Sequence, residues 1–145
     1  MVRVEVSTDI NKPVHEVFTY VRDEDNVPKW DQDLLAVKRT TEGEFGVGTS
    51  FHLDIKPFMG QTEGTGEVIG YDPDKKIEFQ FKMGKLQPHV WHLFEASGPG
   101  TRFTRVVEIE PPGIMKLMSP MMKAQIRKQN VAYLARLKSL VESQG

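Results

Sequence analysis

A chain of 145 residues is the size of one ordinary domain, long enough to bury most of the surface its unfolded form exposes. Its residues are 39% hydrophobic and 27% charged with a net charge of −1, which marks a globular chain and excludes a global field favouring nucleic acid or an acidic partner. There is no cysteine, so disulfides, thiolate nucleophiles and cysteine metal sites are excluded together, as fits a reducing compartment.

The N-terminal stretch MVRVEVSTDI alternates and carries no apolar run of the kind a signal peptide needs. No segment approaches the roughly 20 apolar residues of a membrane span, so a cytoplasmic location is the expectation. Val2, Val4 and Val6 share one face of a half-buried strand. In NKPVHEVFTYVRD, Asn11 is placed as a helix cap and Pro13 in the first turn, and Val14, Val17, Phe18 and Val21 form one helical stripe. DEDNVPKW reads as a short second helix or turn, interrupted at Pro28 and ending near Trp30.

From about Leu34 the period becomes two. Strands are predicted at 34–41, 48–56, 62–71, 75–82, 89–96 and 101–110, separated by the turn sequences EGEFG, KPFMG, DPDK and SGPG. Connections this short join antiparallel neighbours. PPG at 111–113 closes the sheet region. Residues 114–118 form a separate turn of helix, and the final helix starts with Ser119 as cap and Pro120 as first helical residue. Met122, Ile126, Tyr133, Leu137 and Leu140 fall on its apolar stripe, with Gln129 inside the stripe and Asn130 at its edge. An antiparallel sheet must cover one face, and the last helix is the only element long enough to do so. The expectation is a single α+β domain over residues 1–145: a curved antiparallel sheet wrapped around a long C-terminal helix, with two short helices after the first strand. A gap at one end of that grip is the candidate site.

Taking SGPG (97–100) as a four-residue hairpin loop sets Glu95 opposite Arg102, Phe94 opposite Phe103 and His92 opposite Arg105. One face then carries Val90, Phe94, Phe103, Val107 and Ile109 with His92 and Arg105 among them, and Trp91 falls on the other face. A slip of one residue would bury the Glu95–Arg102 pair instead. A buried unpaired guanidinium is costly. Two readings follow: a polar anchor orienting an anionic or carbonyl-bearing ligand, or a cavity-mouth pair bonded to water or to the protein itself. Phe51, Leu53 and Ile55 alternate on one strand, and Ile77, Phe79 and Phe81 on another. Pairing through DPDK sets Val68 opposite Phe79 and Gly66 opposite Phe81, so Gly64 and Gly66 face inward. They make room there, or permit a bulge or bend. Met115, Met118, Met121 and Met122 are either a flexible lid or core filling. Tyr133, Gln129 and Asn130 either offer hydrogen bonds into the cavity or serve as an exposed cap residue or water-bonded amide.

The stretches INKPVHEVFTYVRDEDNVPKW, GVGTSFHL, EVIGYDPDKKIEF, FEASGPGTRFTRVVEIE and LARLKSLVE, in this order and spacing, resemble the START-like helix-grip (SRPBCC) superfamily, in particular its polyketide cyclase/dehydratase-like branch. The resemblance spans nearly the whole chain and implies a hydrophobic cavity. It supports binding or carriage of a lipid, polyketide or quinone-like molecule. Trp30, Phe51, Leu53, Phe79, Phe81, Phe94, Met118, Met122, Ile126 and Tyr133 are the expected lining, and His92 and Arg105 the polar anchor.

The alternative in which this domain is a cyclase- or dehydratase-like enzyme rests on His92 as acid or base. His15, His52, His89 and His92 show no metal spacing, and His89 and His92 face opposite sides of a strand. No cofactor or metal is expected. GTGEVIG lies within a strand with no helix after it, so it is not a phosphate loop. Lys116, Lys123, Arg127, Lys128, Arg136 and Lys138 occur with no acid between Glu110 and Glu142. This run is either a solvated helix face or a transient dock for an anionic membrane or acidic partner, a third reading that needs no ligand. Nucleic-acid binding is not expected, and a monomer and a dimer both remain open.

Overall fold

The computed structural model describes residues 1–144. In β1 (Val2–Ile10) the even residues Val2, Val4 and Ile10 are buried, while Arg3, Glu5 and Asp9 face water. Helix α1 (Val14–Arg22) buries Val17, Phe18 and Val21, three positions of the expected stripe. Pro13, not Asn11, holds the cap position; its fixed φ carries an extended chain straight into the helix. Asn11 instead gives its backbone N–H to Glu142 Oε2 at 2.8 Å. Helix α2 (Val27–Trp30) is one turn, and Pro28 lies in its first turn, where a missing N–H leaves no bond unmade, so it does not interrupt the helix.

Six further strands follow: β2 (Leu34–Arg39), β3 (Ser50–Phe58), β4 (Gln61–Asp72), β5 (Lys76–Lys82), β6 (His89–Ser97) and β7 (Gly100–Ile109). They form one seven-stranded sheet in the order β1-β7-β6-β5-β4-β3-β2, antiparallel at each pairing. β1 and β2 are thus opposite edges, and α1 and α2 carry the chain from one to the other. Register shifts at Leu34/Ala36, Asp54/Phe58 and Val68/Gly70 insert bulges in neighbouring strands. Bulges add twist and bend, which curves this half of the sheet.

A 3-10 segment, Gly113–Met118, leads into α3 (Ser119–Glu142). Met118 holds the cap position and Ser119 lies inside the first turn, its hydroxyl donating to Lys116 O at 2.8 Å, because the preceding 3-10 turn already bends the chain into helical geometry. The helix buries Ile126, Asn130, Tyr133, Leu134, Leu137 and Val141. Its stripe is therefore rotated from the expected one: Asn130 is inside, while Gln129 and Leu140 are half-buried at the edges. The basic run divides. Arg127 donates to Glu5 O, Lys138 to Asp9 O and Arg136 to Lys29 O, so three cations bond the helix to backbone carbonyls of β1 and α2.

Two hydrophobic clusters result. One joins α1, Trp30, Phe94, Phe103 and the C-terminal half of α3. The other joins Val2, Val4, Leu86, Val90, Val107 and Ile109 with Ile126. Among the described residues no helix is long and apolar enough to cross a membrane.

Candidate functional site

The β6–β7 ladder pairs Glu95 with Arg102, Phe94 with Phe103 and His92 with Arg105. Ser97 also pairs with Gly100, so the loop is two residues, Gly98-Pro99, rather than four. Gly98 there has φ 59, a conformation that costs glycine little. Val90, His92, Phe94, Phe103, Val107 and Ile109 are buried on the concave face toward α3. Trp91 is on the convex face, where its ring stacks on His89 at 3.8 Å and its cross-strand partner Val106 is buried.

His92 sits in a cage of rings, with centroids 5.7 Å from Trp30, 5.2 Å from Phe79 and 5.4 Å from Phe103. Burial, helped by the Arg105 guanidinium, drives its pKa well below the usual histidine value, so the imidazole is neutral at pH 7. Neither ring nitrogen has a hydrogen-bond partner in the protein. Arg105 donates through Nη1 to Asp31 Oδ2 at 3.1 Å, and the two side chains are only 11% and 7% exposed. Its guanidinium lies over the Trp30 and Tyr133 rings, 5.6 Å and 5.5 Å from their centroids. Its Nε–H is unpartnered. Asp31 ends α2, closing the turn with its own N–H on Val27 O at 2.8 Å, which aims the carboxylate at the sheet. Burial raises the Asp31 pKa, and the single bond from Arg105 offsets this only in part.

A cavity of about 190 Å³ lies between the concave face and α3. Leu53, Ile55, Phe81, Val90, Val107 and Ile109 wall it from the sheet, Ile126, Gln129, Asn130 and Tyr133 from the helix. A nook of about 40 Å³ adjoins it, lined by Trp30, Phe51, Phe79 and His92 and, toward α1 and α2, by Arg22, Glu24 and Val27. Asp31, Leu34, Leu53, Phe81 and Arg105 line both spaces and form the wall between them. Trp30 Nε1, both His92 nitrogens and Arg105 Nε are buried without partners on residues that border the nook, and Asn130 Oδ1 is unpartnered beside the larger cavity.

Of the residues expected to line a site, Trp30, Phe51, Phe79 and His92 border the nook. Leu53, Phe81 and Arg105 border both spaces, and Ile126 and Tyr133 the larger one. Phe94, Met118 and Met122 border neither. Phe94 packs against Phe18 and Phe103 at 5.1 Å and 5.2 Å, Met118 is 51% exposed at the cap of α3, and Met122 is half-buried on the smaller core. The inward face of α3 begins only at Ile126, four residues beyond Met122, and Met121 is also exposed. Gly64 and Gly66 are buried on the inner face, but they admit neighbours rather than leave space. A Cβ at Gly66 would lie 2.6 Å from the Phe81 ring, and one at Gly64 2.8 Å from Met83 Cγ. Asp31, Leu34, Met83 and Pro88 line the cavities without having been picked out in the sequence. For Asp31 a signal existed, since an inward arginine calls for a carboxylate, but its 74-residue separation from Arg105 hid which one.

On the convex face His52 Nε2 is 3.3 Å from both Asp54 Oδ1 and Glu63 Oε1. Histidine spacing alone gives no hint of this group, because its acids come from i+2 and from across the β3–β4 pair. It is the grouping among the described residues whose donor atoms are close enough to share a metal ion, and all three side chains are exposed, as in ordinary surface ion pairs.

Residues 1–142 match the family model for polyketide cyclase/dehydrase and lipid transport proteins. No curated protein sequence matches the chain. Among solved structures, protein CV1439 of Chromobacterium violaceum is similar over 98% of each chain, with 17% identity and a TM-score of 0.75. TTHA0849 of Thermus thermophilus is similar over 96% of each chain, with 16% identity and a TM-score of 0.76. DynU16, from the dynemicin biosynthetic locus, has 19% identity and a TM-score of 0.70, over 97% of this chain and 47% of that one. At such identities the likeness is one of fold: a curved antiparallel sheet gripping its C-terminal helix.

Proposed function

This chain belongs to the polyketide cyclase/dehydrase and lipid transport family, and from that premise we propose that it reversibly binds an apolar small molecule between the concave sheet face and α3. The observation that carries the reading is the pairing of an apolar cavity with a buried set of unpartnered polar groups on residues of the adjoining nook. Buried polar atoms in proteins are nearly always bonded, and each exception calls for an explanation, of which a bound ligand or an ordered water is one. Apolar walls with a few convergent polar groups are the usual make-up of a ligand site.

An acid–base role for His92 is the weaker reading. A general acid must hold a proton near the working pH, and this imidazole is neutral there. A base whose pKa is pushed well down has little drive to take one.

The test is solvent extraction and mass analysis of protein purified from its native cells, beside a variant with the cavity filled, Val107→Trp. A retained apolar compound in the wild type, absent from the variant, supports binding. Extracts empty of such a compound, with no uptake of an uncharged apolar dye by the purified protein, refute it.

A further inference from the structure

The two spaces differ in size and chemistry, and together they define what the ligand is. An apolar cavity of about 150 Å³ accommodates a benzene ring. The larger space here, about 190 Å³, therefore takes one substituted ring or a compact pair of rings. The nook of about 40 Å³ has room for an oxygen atom or a single water, but not for a ring.

Arg22, Glu24 and Asp31 also border the nook, but the unpartnered polar atoms on its lining residues are mostly donors. Trp30 Nε1 and Arg105 Nε can only donate, and neutral His92 offers one donor and one acceptor. Three N–H groups thus stand against a single acceptor nitrogen. What they lack is an oxygen with free lone pairs. That oxygen need not be charged. Asp31 already neutralises Arg105, with both side chains almost wholly buried, so a ligand carboxylate would bring a second negative charge beside the first. Asp31, Leu34, Leu53, Phe81 and Arg105 border both spaces, so a ring in the larger one lies against the side chains that close the smaller one. The unpartnered N–H groups are sealed in the free protein, Trp30 being 0% exposed, so a ligand oxygen reaches them as these side chains give way.

Resting on the binding function proposed above, we infer that the ligand is a one- or two-ring apolar molecule with an uncharged carbonyl oxygen, which occupies the nook and accepts hydrogen bonds from the N–H groups of Trp30, Arg105 and His92. A site built to bond an oxygen discriminates strongly against the analogue lacking it, because the donors are then left unpaired.

Three probes with one bicyclic skeleton test this: 1-tetralone, tetralin and 1,2,3,4-tetrahydro-1-naphthoate, titrated into the full chain at pH 7.5 by calorimetry or ligand-observed NMR. The ketone is expected to bind at least about tenfold more tightly than either of the others, the step that one well-placed bond supplies. In Trp30→Phe and His92→Phe the ratio of ketone to hydrocarbon affinity falls toward one. Circular dichroism of each variant verifies its fold. Equal affinity for ketone and hydrocarbon overturns the inference and leaves the cavity reading standing. So does tightest binding of the carboxylate. Failure of all three to bind, with a long-chain lipid extracted from the native protein, overturns the size and headgroup together and again spares the cavity. Failure of all three with empty extracts sinks both.

Discussion

Replacing His92 with phenylalanine should stabilise the protein, although it enlarges an enclosed side chain. The imidazole holds one donor and one acceptor without partners, and each such buried group costs about 1–3 kcal/mol. Phenylalanine removes both and keeps an aromatic ring against Trp30, Phe79 and Phe103. Its one extra heavy atom would cost about 1–3 kcal/mol in a filled core, but here a nook of about 40 Å³ adjoins the ring. The expected net gain is about 1–2 kcal/mol, or roughly 3–8 °C in melting temperature. The pH dependence gives a sharper reading. The folded pKa of His92 is lowered, so below about pH 6.5 the unfolded chain binds the proton first and the wild type loses stability, by up to about 1.4 kcal/mol per pH unit. Asp31 has the opposite sign. Its folded pKa is raised, so between the unfolded value near 3.9 and that raised value the folded chain holds the extra proton and gains stability as pH falls. The variant keeps Asp31, so the difference between the two proteins isolates His92. Urea unfolding at pH 7.5, 6.5 and 5.5 should show the variant's advantage widening toward acid. A constant advantage, or a variant less stable at pH 7.5, would refute a buried, neutral, unpartnered imidazole.

The Asp31–Arg105 pair should behave as a unit. Asp31→Asn leaves a buried guanidinium uncompensated and should cost about 3–5 kcal/mol in urea unfolding, while Asp31→Asn with Arg105→Met should return to within about 1 kcal/mol of wild type. A double variant no better than the single one would show that the charges do not compensate each other. In the β3–β4 hairpin Met59 and Gly60 have φ of 52° and 81°, both left-handed, as a two-residue type I′ turn requires. Asparagine tolerates that conformation better than methionine, and Met59 is 39% exposed, so Met59→Asn should raise stability by about 0.5–1 kcal/mol in the same assay. A loss would mean that the Met59 side chain contributes packing that outweighs its strain.

What could be read from the sequence was set by short-range periodicity. The β6–β7 register was legible because the strand period is two and the alternative register buries Glu95 against Arg102. The strand ends moved by no more than two residues for the same reason. The rotation of α3 was less legible. Gln129 and Asn130 are adjacent amides of similar polarity, and only packing against the sheet decides which one turns inward. Apolar character failed at Met118 and Met121, since a 3-10 turn before the helix shifts which face meets the core. Gly64 and Gly66 read equally as added space or as close approach until the direction of the Phe81 ring is known. Asp31 was hidden because its role depends on a one-turn helix placed over a strand far along the chain.

Under the binding function proposed above, the features that weigh against proton transfer are those that favour holding a ligand. The site's buried cation, Arg105, is compensated by Asp31, and its histidine is kept neutral by burial. Neither is poised to exchange a proton at pH 7. What remains are unpartnered N–H groups held among packed rings, able to bond an oxygen without moving a proton. Leaving them unbonded lowers the stability of the protein, and a ligand that bonds them restores it by RT ln(1 + L/Kd), where L is the free ligand concentration. Stability and affinity then draw on the same atoms. His92→Phe should therefore raise the melting temperature of the free protein and shrink the further rise that 1-tetralone produces, two changes of opposite sign from one substitution. A residue that only filled the core would move the first and leave the second alone.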